Sequence, residues 1–169
     1  MKEPMEIERK FLIRRPDPEI LEPHCSAVYR MEQTYLTAPE GITARVRRRV
    51  GEREEFFYTE KEYRTARSCV ERERSITRQE YETLLQRREA ETICKTRYCL
   101  PYAGHMLEID LYPFWQQLAV LEVELQEEGE PFRLPPEITV VREVTEDRRL
   151  KNAALARHIP REEELLADL

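Results

Sequence analysis

Hydrophobic and charged positions alternate with a period of two along much of this chain. The pattern begins at Met5-Glu6-Ile7-Glu8-Arg9-Lys10-Phe11. Successive side chains of a β-strand point to opposite faces, so Glu6, Glu8 and Lys10 would share one face and Met5, Ile7 and Phe11 the other. The motif recurs with its polar positions in phase: Arg45 and Arg47, Thr59 and Lys61, Glu71 and Glu73, Lys95 and Arg97, Glu108 and Asp110, Glu122 and Glu124. In the last two segments one face is wholly aliphatic (Leu107, Ile109, Leu111; Leu121, Val123, Leu125) and the other wholly acidic. One such strand describes an ordinary half-solvated sheet. Seven in one chain, some acidic and some basic, describe a sheet with a dedicated charged face.

The alternation predicts eight strands, near 5–13, 27–36, 43–50, 55–62, 70–76, 93–101, 106–111 and 118–126. Glu40-Gly41, Gly51-Glu52 and Ala103-Gly104 supply turns. The Pro-rich residues 16–23 leave room for at most a short helix. The clearest helix opens at Thr77, where Glu80 completes a capping box. Tyr81, Leu84, Leu85 and Arg88 carry one side of it to about Thr92. Pro131, Pro135 and Pro136 then interrupt the chain, and Thr145 is placed to cap a last helix through Leu150, Ala154, Leu155 and His158. At 169 residues the chain has the length of one domain. We divide it into a body, 1–158, and an acidic tail, 159–169.

The fold class predicted is α+β: an antiparallel, eight-stranded, closed or nearly closed β-barrel with a charged lumen and helices packed on its outside. Small barrels usually fill their interior with apolar side chains. A charged interior costs too much desolvation unless the charges are paired, hydrated or bound to a ligand. The in-phase positions set eight carboxylates (Glu6, Glu8, Glu71, Glu73, Glu108, Asp110, Glu122, Glu124) against six cations (Lys10, Arg45, Arg47, Lys61, Lys95, Arg97). Hard divalent cations take carboxylate and phosphate oxygens, while Arg and Lys take phosphate directly. Two divalent ions would turn a nominal lumen charge of about −2 into about +2, enough to attract a triphosphate.

Composition fits this picture. Charged residues make up 37% of the chain, and inward-facing charged strands account for part of the excess. The net charge of −6 speaks against a surface for nucleic acid or anionic membrane. The chain has no run of about 18 apolar residues and no apolar signal region, so a cytoplasmic protein is expected. Cys25, Cys69, Cys94 and Cys99 have no zinc-like spacing and read as reduced thiols. No G-x-x-x-x-G-K loop is present, so a triphosphate would be held by side chains.

Glu6-x-Glu8-x-Lys10, followed in order by the later charged strands, resembles the CYTH superfamily, the triphosphate tunnel metalloenzymes, over roughly Met5 to Leu155. Several segments look like its bacterial single-domain, inorganic triphosphatase branch. These are Gln33-Thr34-Tyr35-Leu36, Lys95-Thr96-Arg97-Tyr98 leading to Leu100-Pro101-Tyr102, Leu121-Glu122-Val123-Glu124-Leu125, and Glu143-Val144-Thr145 with Asp147, Arg149 and Asn152. The resemblance implies hydrolysis of inorganic tripolyphosphate to phosphate and pyrophosphate, with Mg²⁺ or Mn²⁺ as cofactor. It implies metal ligation by Glu6, Glu8, Asp110, Glu122 and Glu124. It implies phosphate binding by Lys10, Arg45, Arg47, Lys61, Lys95 and Arg97, with Lys151 a further candidate. Glu6, Glu8, Lys10 and Lys61 would stand nearest the chemistry, and Glu71, Glu73 and Glu108 would position these groups. The implied partner is a small polyanion, with no nucleic acid or membrane, bound by a monomer or homodimer.

The chain departs from the family pattern in two places. Leu150 and Lys151 stand where relatives often have a tyrosine pair, and Cys69 stands before Glu71 where relatives often have Arg. Both bear on substrate choice. The same resemblance also reaches a class IV adenylate cyclase-like lyase, a thiamine triphosphatase, and a non-catalytic polyphosphate- or nucleotide-binding module. No separate base-binding aromatic cluster favours the cyclase, and five retained metal carboxylates argue against the binding module. Trp115 is expected to pack near the barrel rim, and His24, His105 and His158 to lie at the surface.

Overall fold

A computed structural model describes residues 5–167. It contains strands β1 (Met5–Arg14), β2 (Ala27–Leu36), β3 (Ile42–Val50), β4 (Glu54–Tyr63), β5 (Ser68–Ser75), β6 (Ile93–Tyr102), β7 (His105–Leu111), β8 (Leu118–Leu125) and β9 (Val140–Glu143). Their order is β5-β4-β3-β2-β6-β7-β8-β1-β9. Residues 5–7 of β1 also pair with residues 68–70 of β5, which closes the first eight strands into an antiparallel barrel. Closure removes the exposed edges that an open sheet would present. The unforeseen ninth strand adds to β1 beyond that seam, opposite residues 11–13. It is anchored by Arg9, whose Nε donates to Glu143 Oε2 at 3.1 Å, and by Thr145, whose Oγ1 accepts the Lys10 backbone N–H at 3.0 Å.

Among the described residues the four α-helices are short: α1 (Pro18–Leu21), α2 (Arg78–Leu85), α3 (Asn152–Leu155) and α4 (Glu162–Ala167). They cover less of the barrel than expected. Across β6, β7, β8 and β1 the outer aliphatic face (Tyr98, Leu107, Ile109, Leu121, Val123, Phe11) is packed by Leu21 and by the irregular segment carrying Phe132, Leu134 and Ile138. The proline-broken stretch after β8 therefore does the work assigned to helices. Helix α2 covers Leu36, Val46 and Phe56 with Tyr81. Its N-terminus carries the capping box expected at Thr77 and Glu80, but the helix stops at Leu85 instead of running to Thr92. There the chain turns to pair with the end of β2: Thr37 N–H donates to Arg87 O, and Glu89 N–H to Tyr35 O.

A second difference lies on the inner face. The charges do not continue to the end of the barrel. Leu12, Val120 and Leu118 occupy inward positions in phase with Lys10 and Glu122, and they join Tyr112, Trp115, Leu150, Leu155 and Leu165 in a buried cluster. Thr145 does not start a continuous helix. Asp147 caps a 3₁₀ turn at Arg148–Leu150, and α3 follows. The tail residues packed here include α4, where Leu165 is buried and Glu162 accepts the Gln116 and Gln117 N–H groups at 2.7 Å each. Trp115 is 2% exposed and donates from Nε1 to Pro160 O at 3.0 Å. Trp115→Ala is expected to destabilise the fold by about 3–5 kcal/mol through lost burial and a cavity, to be measured as a lower urea unfolding midpoint.

Candidate active site

Each barrel strand delivers alternate side chains to the interior, and the interior is a cavity of about 450 Å³. Its wall carries Glu6, Glu8 and Lys10 from β1, Arg45 and Arg47 from β3, Lys61 from β4, Glu71 and Glu73 from β5, Arg97 from β6, Glu108 from β7, and Glu122 and Glu124 from β8. Lys151 reaches the same wall from the segment before α3. The structure thus brings together nearly all the residues singled out from the alternation.

Two are placed differently. Lys95 and Asp110 are inward-facing but lie outside the cavity lining, with side chains 0% and 1% exposed. Lys95 Nζ donates to Asp110 Oδ2 at 2.8 Å, and Arg97 donates to both Asp110 oxygens, from Nε at 2.8 Å and from Nη2 at 2.9 Å. Asp110 is committed to these cations. Burial would raise its carboxyl, but Arg97 and Lys95 hold it below the usual range. The Lys95 ammonium is pushed down to about 7 by burial and by the neighbouring Arg97. These groups brace Arg97, whose Nη1 donates onward to Glu108 Oε2 at 2.7 Å in the cavity wall. The positions expected for Asp110 and Glu108 are in effect exchanged: Glu108 faces the lumen and Asp110 stands behind it.

The remaining lumen charges form a partly compensated network. Lys61 Nζ lies 3.4 Å from Glu6 Oε1, Lys10 Nζ lies 3.4 Å from Glu122 Oε1, and Arg47 Nη2 lies 3.2 Å from Glu73 Oε1. Lys10 also donates to Leu150 O at 3.1 Å, and Thr59 Oγ1 donates to Glu73 at 2.8 Å. Burial would raise the Glu122 carboxyl, yet Lys10, Arg97, Lys95 and Lys61 hold it well below the carboxylate range. Burial and then the neighbouring Arg45 and Arg97 push the Arg47 guanidinium down to about 9. Crowded cations of this kind favour an anionic ligand between them. The Nε–H groups of Arg45 and Arg47 are buried without an acceptor.

The carboxylates show a complementary imbalance. Glu8 stands directly opposite Glu124 in the β1–β8 register, and Glu122 directly opposite Glu108 in the β7–β8 register. Like charges opposite one another destabilise a strand pair. Burial, and then Glu122, raises the Glu8 carboxyl well above its ordinary value; burial, and then Glu6 and Glu108, raises that of Glu124. Among the described residues no three acidic groups converge tightly on one point. The set nevertheless fits a hard divalent cation: oxygen donors only, in close acidic pairs, of which Glu8 and Glu124 have no salt bridge among the described residues and are both raised. Glu6, Glu8, Glu122 and Glu124 are the residues that would hold it.

Sequence reasoning gave no site role to Tyr63, Thr43, Tyr35 or Asn152, which also line the cavity. Thr43 and Tyr63 continue the inward phase of Arg45 and Lys61, so the signal was present but carried no charge. Asn152 accepts from the Tyr112 hydroxyl at 2.6 Å. On the inner face beyond Arg47, the Arg49 guanidinium lies between the rings of Tyr29 and Phe57, 4.5 and 4.7 Å from their centroids, and pairs with Glu55. Gly51 permits the Tyr29 ring to approach, since a Cβ there would stand 2.9 Å from ring carbons.

A closed antiparallel barrel whose lumen sets buried Arg and Lys against paired carboxylates defines the triphosphate tunnel class. The chain is 36% identical to an inorganic triphosphatase of Nitrosomonas europaea over 160 residues, covering 92% of this chain and 99% of that one. It superposes on the crystal structure of an inorganic triphosphatase with a TM-score of 0.57, at 33% identity over 92% of this chain and 97% of that one. A Hippeastrum protein with a dominant triphosphatase activity shares the fold alone, with a TM-score of 0.52 and 14% identity over 72% of this chain and 80% of that one. No family model matches the sequence. The chain belongs to the inorganic triphosphatase family of the CYTH, or triphosphate tunnel, superfamily.

Proposed function

We propose that this protein hydrolyses inorganic tripolyphosphate to phosphate and pyrophosphate in its lumen, in a reaction dependent on a divalent metal. The observation that carries this reading is the cation set around one enclosed space, Lys10, Arg45, Arg47, Lys61 and Arg97, facing close acidic pairs. Arg45 and Arg47 sit two residues apart on one strand face, a separation of about 7 Å along the strand, which spans neighbouring phosphoryl groups. Their guanidinium groups bind and orient the non-bridging oxygens. Lys61 and Lys10, each beside a lumen glutamate, neutralise charge as it shifts toward the leaving pyrophosphate. Mg²⁺ or Mn²⁺ held by Glu6, Glu8, Glu122 and Glu124 would supply further neutralisation of phosphate oxygens and an acidified water. Glu8, Glu71 and Glu124 line the lumen without a hydrogen bond or ion pair to a protein cation among the described residues, which leaves their carboxylates available to hold the ion or to orient an attacking water.

No helix among the described residues is long and apolar enough to cross a membrane. Cys25, Cys69, Cys94 and Cys99 are free thiols, which fits a reducing, cytoplasmic setting.

The test is a substrate panel with Mg²⁺ and with Mn²⁺, scored for phosphate, pyrophosphate and cyclic AMP. Tripolyphosphate is expected to be cleaved faster than ATP, pyrophosphate to be a poor substrate, and EDTA to abolish turnover. Cyclic AMP formed from ATP with tripolyphosphate left intact would replace this reading with a cyclase. Tight binding of tripolyphosphate without turnover in either metal would replace it with a binding module.

A further inference from the structure

The two tyrosines on the cavity wall differ sharply. Tyr35 is 8% exposed and packs into the buried end cluster. Tyr63, the last residue of β4, is 40% exposed, and Met5 beside the same cavity is 44% exposed, so these two mark a mouth. An exposed aromatic face at the mouth of a phosphate-binding lumen is a natural platform for a flat organic ring carried on a triphosphate. Here that face is taken: Lys151 Nζ lies over the Tyr63 ring, 4.0 Å from its centroid. Lys151 makes no salt bridge to a carboxylate among the described residues, and the Tyr63 ring is its direct contact. Lys10 and Lys61, its neighbours in the lumen, carry the same charge. Glu8 attracts the ammonium from across the lumen, and the ring is the group in direct contact with it. The main chain fixes the arrangement, because Lys151 is the N-cap residue of α3 and its carbonyl accepts the Ala154 and Leu155 N–H groups at 2.9 Å each.

We propose that Lys151, by occupying the ring face of Tyr63, sets a preference for inorganic over organic triphosphates. This rests on the triphosphatase reading above and names which triphosphates the site admits. An inorganic chain needs no platform at the mouth. A nucleoside triphosphate must displace the ammonium from the ring before its base can stack.

The experiment compares kcat/KM for tripolyphosphate, ATP and methyl triphosphate, the last an ester with no ring, in the parent chain and in Lys151→Ala, Tyr63→Ala and the double variant. In Lys151→Ala the ATP-to-tripolyphosphate ratio is expected to rise about tenfold, the value of one aromatic stacking contact. The methyl triphosphate ratio is expected to stay as in the parent, and the rise for ATP to vanish in the double variant. Lys151→Ser, which suits an N-cap position, should reproduce the rise if the alanine variant folds poorly. An unchanged ATP ratio while tripolyphosphate is still cleaved overturns the inference and leaves the triphosphatase reading intact. An equal rise for methyl triphosphate, or a rise that persists without Tyr63, overturns it too, because the mouth would then select by width alone. A parent chain that leaves tripolyphosphate uncut removes the underlying reading and this inference with it.

Discussion

Glu8→Gln is expected to lose about 10²–10³-fold in turnover, the scale of removing one preorganised charge at a reaction centre, while its unfolding midpoint in EDTA rises above that of the parent. The two effects have one cause. The Glu8 carboxylate is half-buried opposite Glu124, and desolvation, then Glu122 and Glu6, raise its carboxyl against the pull of Lys61 and Lys10. In the metal-free protein its charge works against folding. Glutamine keeps the shape and removes the charge, so the metal-free fold gains while the site loses an anionic oxygen. Opposite movement of stability and activity marks a group retained for function. Phosphate release under saturating Mg²⁺ and a urea titration read both quantities. Full activity would remove Glu8 from the chemistry; a fall in both would make its role structural.

Much of this site was legible in the sequence because strand parity is a hard constraint. A residue two places along a strand returns to the same face, so Glu6, Glu8, Lys10, Arg45, Arg47, Lys61, Arg97, Glu122 and Glu124 could be assigned to one interior before any pairing was known. Parity says which face a side chain takes but not how far along the barrel it sits. Asp110 shares its phase with Glu108, and Lys95 with Arg97, yet both lie where the lumen has already filled with side chains. Depth depends on strand tilt and on what plugs the barrel's end. Leu12, Val120 and Leu150 come together there from three distant segments, a convergence that no local pattern reports.

The elements that escaped sequence reasoning share a tertiary origin. Strand β9 has four residues, too few to display alternation, and exists because Arg9 and the β1 backbone receive it. Residues 86–92 have helix-compatible composition, but the free end of β2 offered hydrogen bonds that the helix did not. Thr145 had the chemistry of a helix cap and was recruited instead to satisfy the Lys10 backbone N–H. In each case a short segment's local preference, worth a few tenths of a kcal/mol per residue, yielded to a backbone partner elsewhere.

Arg45→Ala and Arg97→Ala remove the same charge from the same lumen and are expected to fail in different ways. Arg45 is 8% exposed and has no carboxylate bonded to it; burial would lower its pKa, and the neighbouring Tyr35 hydroxyl raises it. Its Nε–H has no acceptor. Removing Arg45 therefore leaves no buried anion stranded, and the urea midpoint is expected to hold or rise. Turnover of tripolyphosphate is expected to fall by about 2–4 kcal/mol of transition-state stabilisation. The loss should appear in kcat as well as KM, because charge on the phosphoryl oxygens redistributes during transfer. Arg97 has the opposite position. It holds both oxygens of Asp110, whose side chain is 1% exposed, and one oxygen of Glu108. Its deletion leaves Asp110 with Lys95 alone, an ammonium whose charged form burial disfavours. Breaking such a buried network costs about 3–5 kcal/mol, so Arg97→Ala is expected to lower the unfolding midpoint sharply and to lose activity through the fold. Urea titration and steady-state kinetics on the two variants separate these outcomes. An Arg45→Ala protein that unfolds as early as Arg97→Ala would make Arg45 a structural brace; one that keeps both its stability and its kcat would take Arg45 out of the phosphate site.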